Sequence, residues 1–412
     1  MRKQLVCFFT AFTFLVLLNG GTARDLRNVT EPKTPETCTT LKPSVKDETK
    51  NIQKALDTCS KGKAVALSSG IFYSGPLSIP SGVSLLVEKN ATLAAFPTPE
   101  LYDRGANTCG TIDDIGEGCK PFITISGANG SGIYGKGVIN GLGGTKMTGR
   151  NISWWRLARE ATKVHKLQNN PKLIRIENST DITLYQITLR DSPFYHVESF
   201  LTFGFTVWGI TIIAPANALN NDGIDPTGSM NVTIAHCNIS TGDDNIAISA
   251  LYAPARHISV TNNYLSHGNS MGIGAGAIYG VSEVTVTNLT LNNIRHGLYI
   301  ATSTLNGGLV TNITYNNVCI KNSKWPINLD TNYYHQKGNY TPQFTNIAFN
   351  NIRVVTNGTF LIHGVSKSVP ITASFNNVHI SKGSVWTVRN AVVKGTWEED
   401  ADGNSCGIAG NV

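Results

Sequence analysis

From Leu173 onward the chain repeats a short alternation of apolar and hydroxyl-bearing positions. Ile182-Thr183-Leu184, Phe205-Thr206-Val207, Val232-Thr233-Ile234, Ile258-Ser259-Val260 and Val284-Thr285-Val286 all follow it. In most copies another aliphatic residue follows five positions after the first, as at Ile187, Ile210 and Leu289. Asn312-Ile313-Thr314-Tyr315, Asn346-Ile347-Ala348-Phe349 and Ala373-Ser374-Phe375 continue the pattern less strictly. From Ile182 to Ile347 the first positions step by 23, 27, 26, 26, 29 and 34 residues. A period-two alternation predicts strands, and strands this short bury an apolar face only by stacking on their neighbours. The blades of a β-propeller need longer repeats, and an immunoglobulin-like sandwich places its turns closer together. The pattern therefore predicts an all-β chain folded as a single-stranded right-handed parallel β-helix, a solenoid.

The stretch before Leu173 supplies the ends and excursions of such a solenoid. Asp47 to Leu56 reads as a short amphipathic helix with Ile52, Ala55 and Leu56 on one face, an N-terminal cap for the first coil. Strands are expected at Ala64–Leu67, Ile71–Tyr73 and Val83–Val87, separated by Gly and Pro turns. Leu101 to Cys119 lacks periodicity and reads as a disulfide-pinned loop. Trp154 to Gln168 has helical composition and stops at Asn170-Pro171, an excursion folded over one wall of a groove. No linker-like segment divides the chain, so residues 24–412 are read as one domain.

The first 23 residues read as a secretory leader: Arg2 and Lys3, an apolar run from Leu5 to Leu18, then Gly21-Thr22-Ala23. That run is shorter than a bilayer span, and no other segment is apolar enough for one, so a secreted, extracellular protein without a membrane partner is expected. Cys7 leaves with the leader, and seven cysteines remain of the eight in the chain. Cys38 with Cys59 and Cys109 with Cys119 are close enough in sequence to pair in an oxidising compartment, while Cys237, Cys319 and Cys406 stay unassigned. No Cys-x-x-Cys or His-x-x-x-His spacing points to zinc. Eleven Asn-x-Ser/Thr sequons, among them Asn231, Asn288 and Asn312, fit a secreted glycoprotein, though several coincide with the strand repeat and so with turn chemistry. The formal charge of +7 becomes +5 without Arg2 and Lys3. The basic residues are scattered without interleaved aromatics, which gives no nucleic-acid surface and a weak attraction for an acidic polymer.

Three short motifs fall at nearly equal intervals: Asn220-Asn221-Asp222-Gly223-Ile224-Asp225, Gly242-Asp243-Asp244-Asn245 and His267-Gly268-Asn269-Ser270-Met271-Gly272. Asp222 to Asp244 is 22 residues and Asp244 to His267 is 23, close to one coil each, which would stack carboxylates and an imidazole. A single Asp after Gly more often closes a turn, and Asp ladders can bind calcium. Five residues from three successive coils are another matter, because adjacent acids such as Asp243 and Asp244 are costly to bring together. Two carboxyl groups, one protonated and one ionised, are what hydrolysis of a glycosidic bond requires, and crowding them raises one pKa above the other. This chemistry calls for no metal and no cofactor.

In these motifs the chain resembles the polygalacturonases of glycoside hydrolase family 28, pectin-degrading enzymes built as right-handed parallel β-helices. Asn220 to Asp225 is similar to the family's Asn-Thr-Asp-Gly-x-Asp with Asn221 for Thr. Gly242-Asp243-Asp244 is similar to its Gly-Asp-Asp, and His267 to Gly272 to its Gly-His-Gly-x-Ser-x-Gly without the first Gly. Ser74-Gly75-Pro76-Leu77 and Ser153-Trp154-Trp155 extend the likeness. The resemblance implies inversion by single displacement, with Asp243 as general acid and Asp222 and Asp244 holding the attacking water. It implies that His267 supports the acid, that Asn220 lies near the sugar and that Asp225 shapes the site.

The family's fourth motif, Arg-Ile-Lys, is expected within Gly297 to Thr302, where Tyr299 and Ala301 replace Arg and Lys. By the resemblance those two cations grip a galacturonate carboxylate. Tyr299 would instead stack on a neutral or methyl-esterified sugar, and Ser249, where relatives often carry Lys, points the same way. Arg295 and His296 stand close by as substitutes. The expected function is hydrolysis of pectin by a monomer. The competing readings are another pectic backbone, such as rhamnogalacturonan or esterified pectin, and a pectin-binding decoy without turnover.

Overall fold

A computed structural model describes residues 24–44, 46–400 and 406; the leader expected at residues 1–23 lies outside them. Twenty-nine of the described strands join one parallel sheet wound into a right-handed β-helix. Each coil contributes to three stacked faces. The first runs from Lys63–Leu67 through Thr180–Tyr185, Phe203–Trp208 and Met230–Ala235. The second includes Ala91–Ala95, Thr211–Ile213 and Asn238–Ser240, and the third Ile174–Glu177, Val197–Phe200, Ile224–Thr227 and Ile246–Ile248.

The repeat that the sequence shows is the register of the first face. Ile182 pairs with Phe205, Phe205 with Val232, Val232 with Ile258, Ile258 with Val284, Val284 with Ile313, and Ile313 with Ile347. All seven are buried, so a spacing that drifts from 23 to 34 residues is taken up in the turns and the core stays in line. Inside the last coils Tyr315, Phe349 and Phe375 stack ring on ring with centroids 5.1 Å apart. At one outer corner Asn262, Asn288, Asn317, Asn351 and Asn377 all have positive φ and pass amide hydrogen bonds from coil to coil at 2.7–3.1 Å. Asn tolerates that left-handed turn, and stacking satisfies its amide. Three sequon residues do turn work of this kind: Asn288 in the ladder, Asn312 donating to Glu283, and Asn231 accepting from the Leu26 N–H.

The helix α1, Thr49–Thr58, buries Ile52 and Leu56 against the first coil, and the Cys38–Cys59 disulfide ties its end to the first strand, Glu36–Leu41. Cys109–Cys119 also pairs, and Cys319 with Cys406 makes a third bridge. Cys237 remains a buried free thiol that burial pushes up to about 12, a core group rather than a reactive one. Both excursions leave the coil stack between a second-face and a third-face strand. One holds the 101–119 loop, where Ile112–Asp113 forms a two-residue strand paired antiparallel with Leu167–Gln168. The other holds helix α2, Trp154–Lys163, which is capped by Ser153 and buries Trp154, Leu157, Ala158 and Ala161.

Candidate active site

The acids lie at the same corner, where each coil turns from its second face to its third. Asp222 follows Thr211–Ile213 and precedes Ile224–Thr227, while Asp243 and Asp244 lie between Asn238–Ser240 and Ile246–Ile248. Ile224 pairs with Ile246, and the Gly223 N–H donates to the Asp244 carbonyl at 2.8 Å, so Asp244 stacks on Asp222. Asp222, Asp243 and Asp244 each offer an oxygen within 4.8 Å of the other two. Gly242 is required there, because a Cβ would run into the Ala218 carbonyl. Oxygens this close have a spacing that a cation can also accept, and the donor set is carboxylate alone.

Burial first, then Asp225, Asp243 and Asp244, pushes Asp222 well above the ordinary carboxylate range. Burial followed by the Asp243 charge raises Asp244 to about 7, against donors from Ser270 and Asn269, the latter at 2.8 Å. Asp243 is also raised by burial, but the Asn220 and Asp244 backbone N–H groups and the Arg295 charge hold it back. Burial raises all three, so the cluster keeps a proton near neutral pH. Because the three titrate together, the proton belongs to the cluster.

The other expected residues separate into those that meet the acids and those that do not. The Asn220 N–H faces Asp243 Oδ2 at 3.3 Å, and its Oδ1 accepts from Gln168 at 3.1 Å. Asn221, in place of Thr, is fully buried, and its amide donates to the Ser192 and Phe194 carbonyls, which fixes the turn. The even 22- and 23-residue steps do not make His267 stack on Asp244. The coil step is 22 residues from Ile224 to Ile246 but 25 from Ile246 to Met271. His267 therefore lies beside Thr241, and its imidazole meets Ser240 Oγ at 2.6 Å and the Ala214 carbonyl at 3.1 Å rather than a carboxylate. Asn269 and Ser270, in the same motif as His267, take the rung next to Asp244.

Asp225 pairs in register with Glu198, and neither of its carboxyl oxygens has a partner among the described residues. Burial, then Glu198 and the other acids, pushes it well above its usual range. Tyr299 is half-buried three rungs further along this ladder, its ring stacked on His296 at 4.4 Å, so one face is already covered. Ser249 is half-buried and donates to Thr227 Oγ1 at 3.1 Å. Sequence spacing gave no sign of Lys172, Glu198 or Tyr195. Lys172 is buried and bridges Glu198 at 2.9 Å, and burial and the surrounding acids drive the Tyr195 phenol far above its usual range.

The folded-state pKa of Asp244 lies near 7, above the roughly 3.9 of an unfolded Asp. Stability tied to this group is fully present below about 4 and is lost as pH rises through about 7. Asp244→Asn, which still accepts from Asn269 and Ser270, should unfold like the parent at pH 4. It should be more stable by about 1–3 kcal/mol at pH 8. Equal midpoints at both pH values in urea titrations would refute the assignment.

The family model for glycosyl hydrolases family 28 matches residues 72–397. An endo-polygalacturonase of Pectobacterium parmentieri is 44% identical over 378 residues, 90% of this chain and 94% of that one. A polygalacturonase of Ralstonia solanacearum is 34% identical over 79% of this chain and 71% of its own. Among solved structures, a polygalacturonase from Erwinia carotovora ssp. carotovora superposes with a TM-score of 0.88 at 42% identity, covering 90% of this chain and all of that one. An exopolygalacturonase from Thermotoga maritima shares the fold at 19% identity, with a TM-score of 0.71. With its parallel coils and three converging acids, the chain belongs to glycosyl hydrolases family 28.

Proposed function

We propose that the protein is a polygalacturonase that cleaves α-1,4-galacturonosyl linkages of pectin by acid/base hydrolysis, acting within the polymer. The observation that carries this reading is the convergence of Asp222, Asp243 and Asp244 within 4.8 Å, in a chain 44% identical to an endo-polygalacturonase. Asp243, with the Asn220 N–H on its carboxylate, is the acid that protonates the leaving oxygen. Asp222 and Asp244, stacked one coil apart, hold the water, and Asp222 Oδ1, without a partner among the described residues, is an acceptor for it. His267 and Asn220 position the acid side of the turn, and Asp225 sets the field around Asp222. Tyr299, packed between His296 and Tyr333, lines the sugar path. The site is complete within one chain, which supports action as a monomer. Three disulfides support an extracellular setting.

Carboxyl groups about 5 Å apart are the spacing of retaining hydrolases when only two act. A third carboxyl changes that, because one acid can donate while the other two share a water between them. Inversion is therefore the expected outcome: proton NMR of a fresh digest should show the new reducing end first as the β-anomer. An initial α-anomer would overturn the water-holding roles and leave hydrolysis intact. On polygalacturonate, viscosity should fall well ahead of reducing-end release. If binding occurs without any release of reducing ends, the protein is not a hydrolase.

A further inference from the structure

We infer that Arg295 and Lys324 form a carboxylate-binding subsite that holds a uronate of the polymer two to three coils along the groove from the acids. This rests on the function proposed above and names the residues that would neutralise its substrate. Ser270 pairs with His296 and His296 with Trp325, so Asn269, Arg295 and Lys324, each one residue earlier, follow one another at the same corner. Asn269 donates to Asp244, which places the two cations in line with the acids, on the rungs that follow. A polyanion laid along this corner meets three carboxyl groups that repel it, and it needs opposite charge beside them.

Both side chains are exposed, and neither has a carboxylate partner among the described residues. Both are held over one ring: the Arg295 guanidinium lies 5.6 Å and Lys324 Nζ 4.3 Å from the Trp325 centroid. Trp325 stacks on His296 at 4.6 Å, and His296 on Tyr299 at 4.4 Å, so the support is a rigid slab of three rings. Burial and the two cations push His296 down to about 4, which leaves the slab uncharged. The Arg295 charge is also felt at Asp243, where it opposes burial. Position 301 supplies no cation, because it is an alanine. Preorganised cations without partners are suited to a carboxylate, and the planar guanidinium can take both of its oxygens.

The test measures binding by calorimetry in the Asp243→Asn background, with oligogalacturonate and its carboxyl-reduced, neutral counterpart as probes. Adding Arg295→Gln and Lys324→Gln should weaken oligogalacturonate binding by about a hundredfold and remove most of its salt dependence. Binding of the neutral oligosaccharide should not change, and Arg295→Lys should restore part of the loss. Equal oligogalacturonate affinity with and without the two substitutions overturns the subsite, as does an equal loss for both probes. Wild-type reducing-end release is measured alongside. If it is present while the affinity is unchanged, only the subsite fails; if neither release nor binding occurs, the function fails and takes the subsite with it.

Discussion

Replacing Asp243 with Asn should lower turnover on polygalacturonate by about two to four orders of magnitude, the usual contribution of a general acid. The substitution keeps the shape of the side chain and an oxygen for the Asn220 N–H, so the turn should survive. The loss is expected in kcat with KM little changed, because the proton is needed in the transition state rather than for binding. The thermal midpoint should stay at or above that of the parent, since one of three crowded carboxyl groups has been removed. Release of reducing ends together with a melting curve separates these effects. Burial raises all three acids and they titrate together, so the electrostatics alone do not choose among them. Asp243→Asn activity within a few-fold of wild type would hand the acid role to one of the other two.

The coil stack was legible in the sequence because its signal is repetition. The buried positions that open the apolar-hydroxyl-apolar triplet of each first-face strand appear as Ile182, Phe205, Val232, Ile258 and Val284, and their pairing follows from the offset alone. The capping helix and two disulfides were legible for local reasons, the first from 3.6-residue periodicity and the others from short separation. Cys319 and Cys406 are 87 residues apart, and nothing local announces their pairing. The acid cluster could be read because its members sit in turns one coil apart, as Asp222 and Asp244 do. His267 shows where that reasoning fails. Turn lengths vary by several residues, so a residue two turns away cannot be placed by counting, and it came to rest on Ser240. The charged groups on the rungs before the acids were not legible at all. Lys172, Arg175 and Glu198 look like ordinary strand residues, and only the winding of the chain brings them together.

The same buried charges give the largest expected change in stability. Lys172→Met should destabilise the protein by about 3 kcal/mol at neutral pH, because removing one partner of a buried ion pair leaves the other uncompensated. Lys172 is 7% exposed, reaches Glu198 at 2.9 Å and Glu117 at 3.4 Å, and lies over the Phe194 and Tyr195 rings at 5.8 and 5.6 Å. Arg175 also holds Glu198, at 2.8 Å, which is why the loss should fall at the low end for such pairs. Lys172→Met with Glu198→Gln should recover more than half of it, because the stranded charge goes too. Urea unfolding of the parent, the single and the double variant measures this directly, and a single variant matching the parent would mean Arg175 alone suffices. Lys172 also lowers the pKa of Asp225, whose neighbour in register is Glu198. Its removal should therefore make negative charge costlier beside Asp222, so the pH profile of hydrolysis should shift upward. A buried lysine two rungs before Asp222 on the same corner thus sets both how firmly the third face is held and how readily Asp225 gives up its proton.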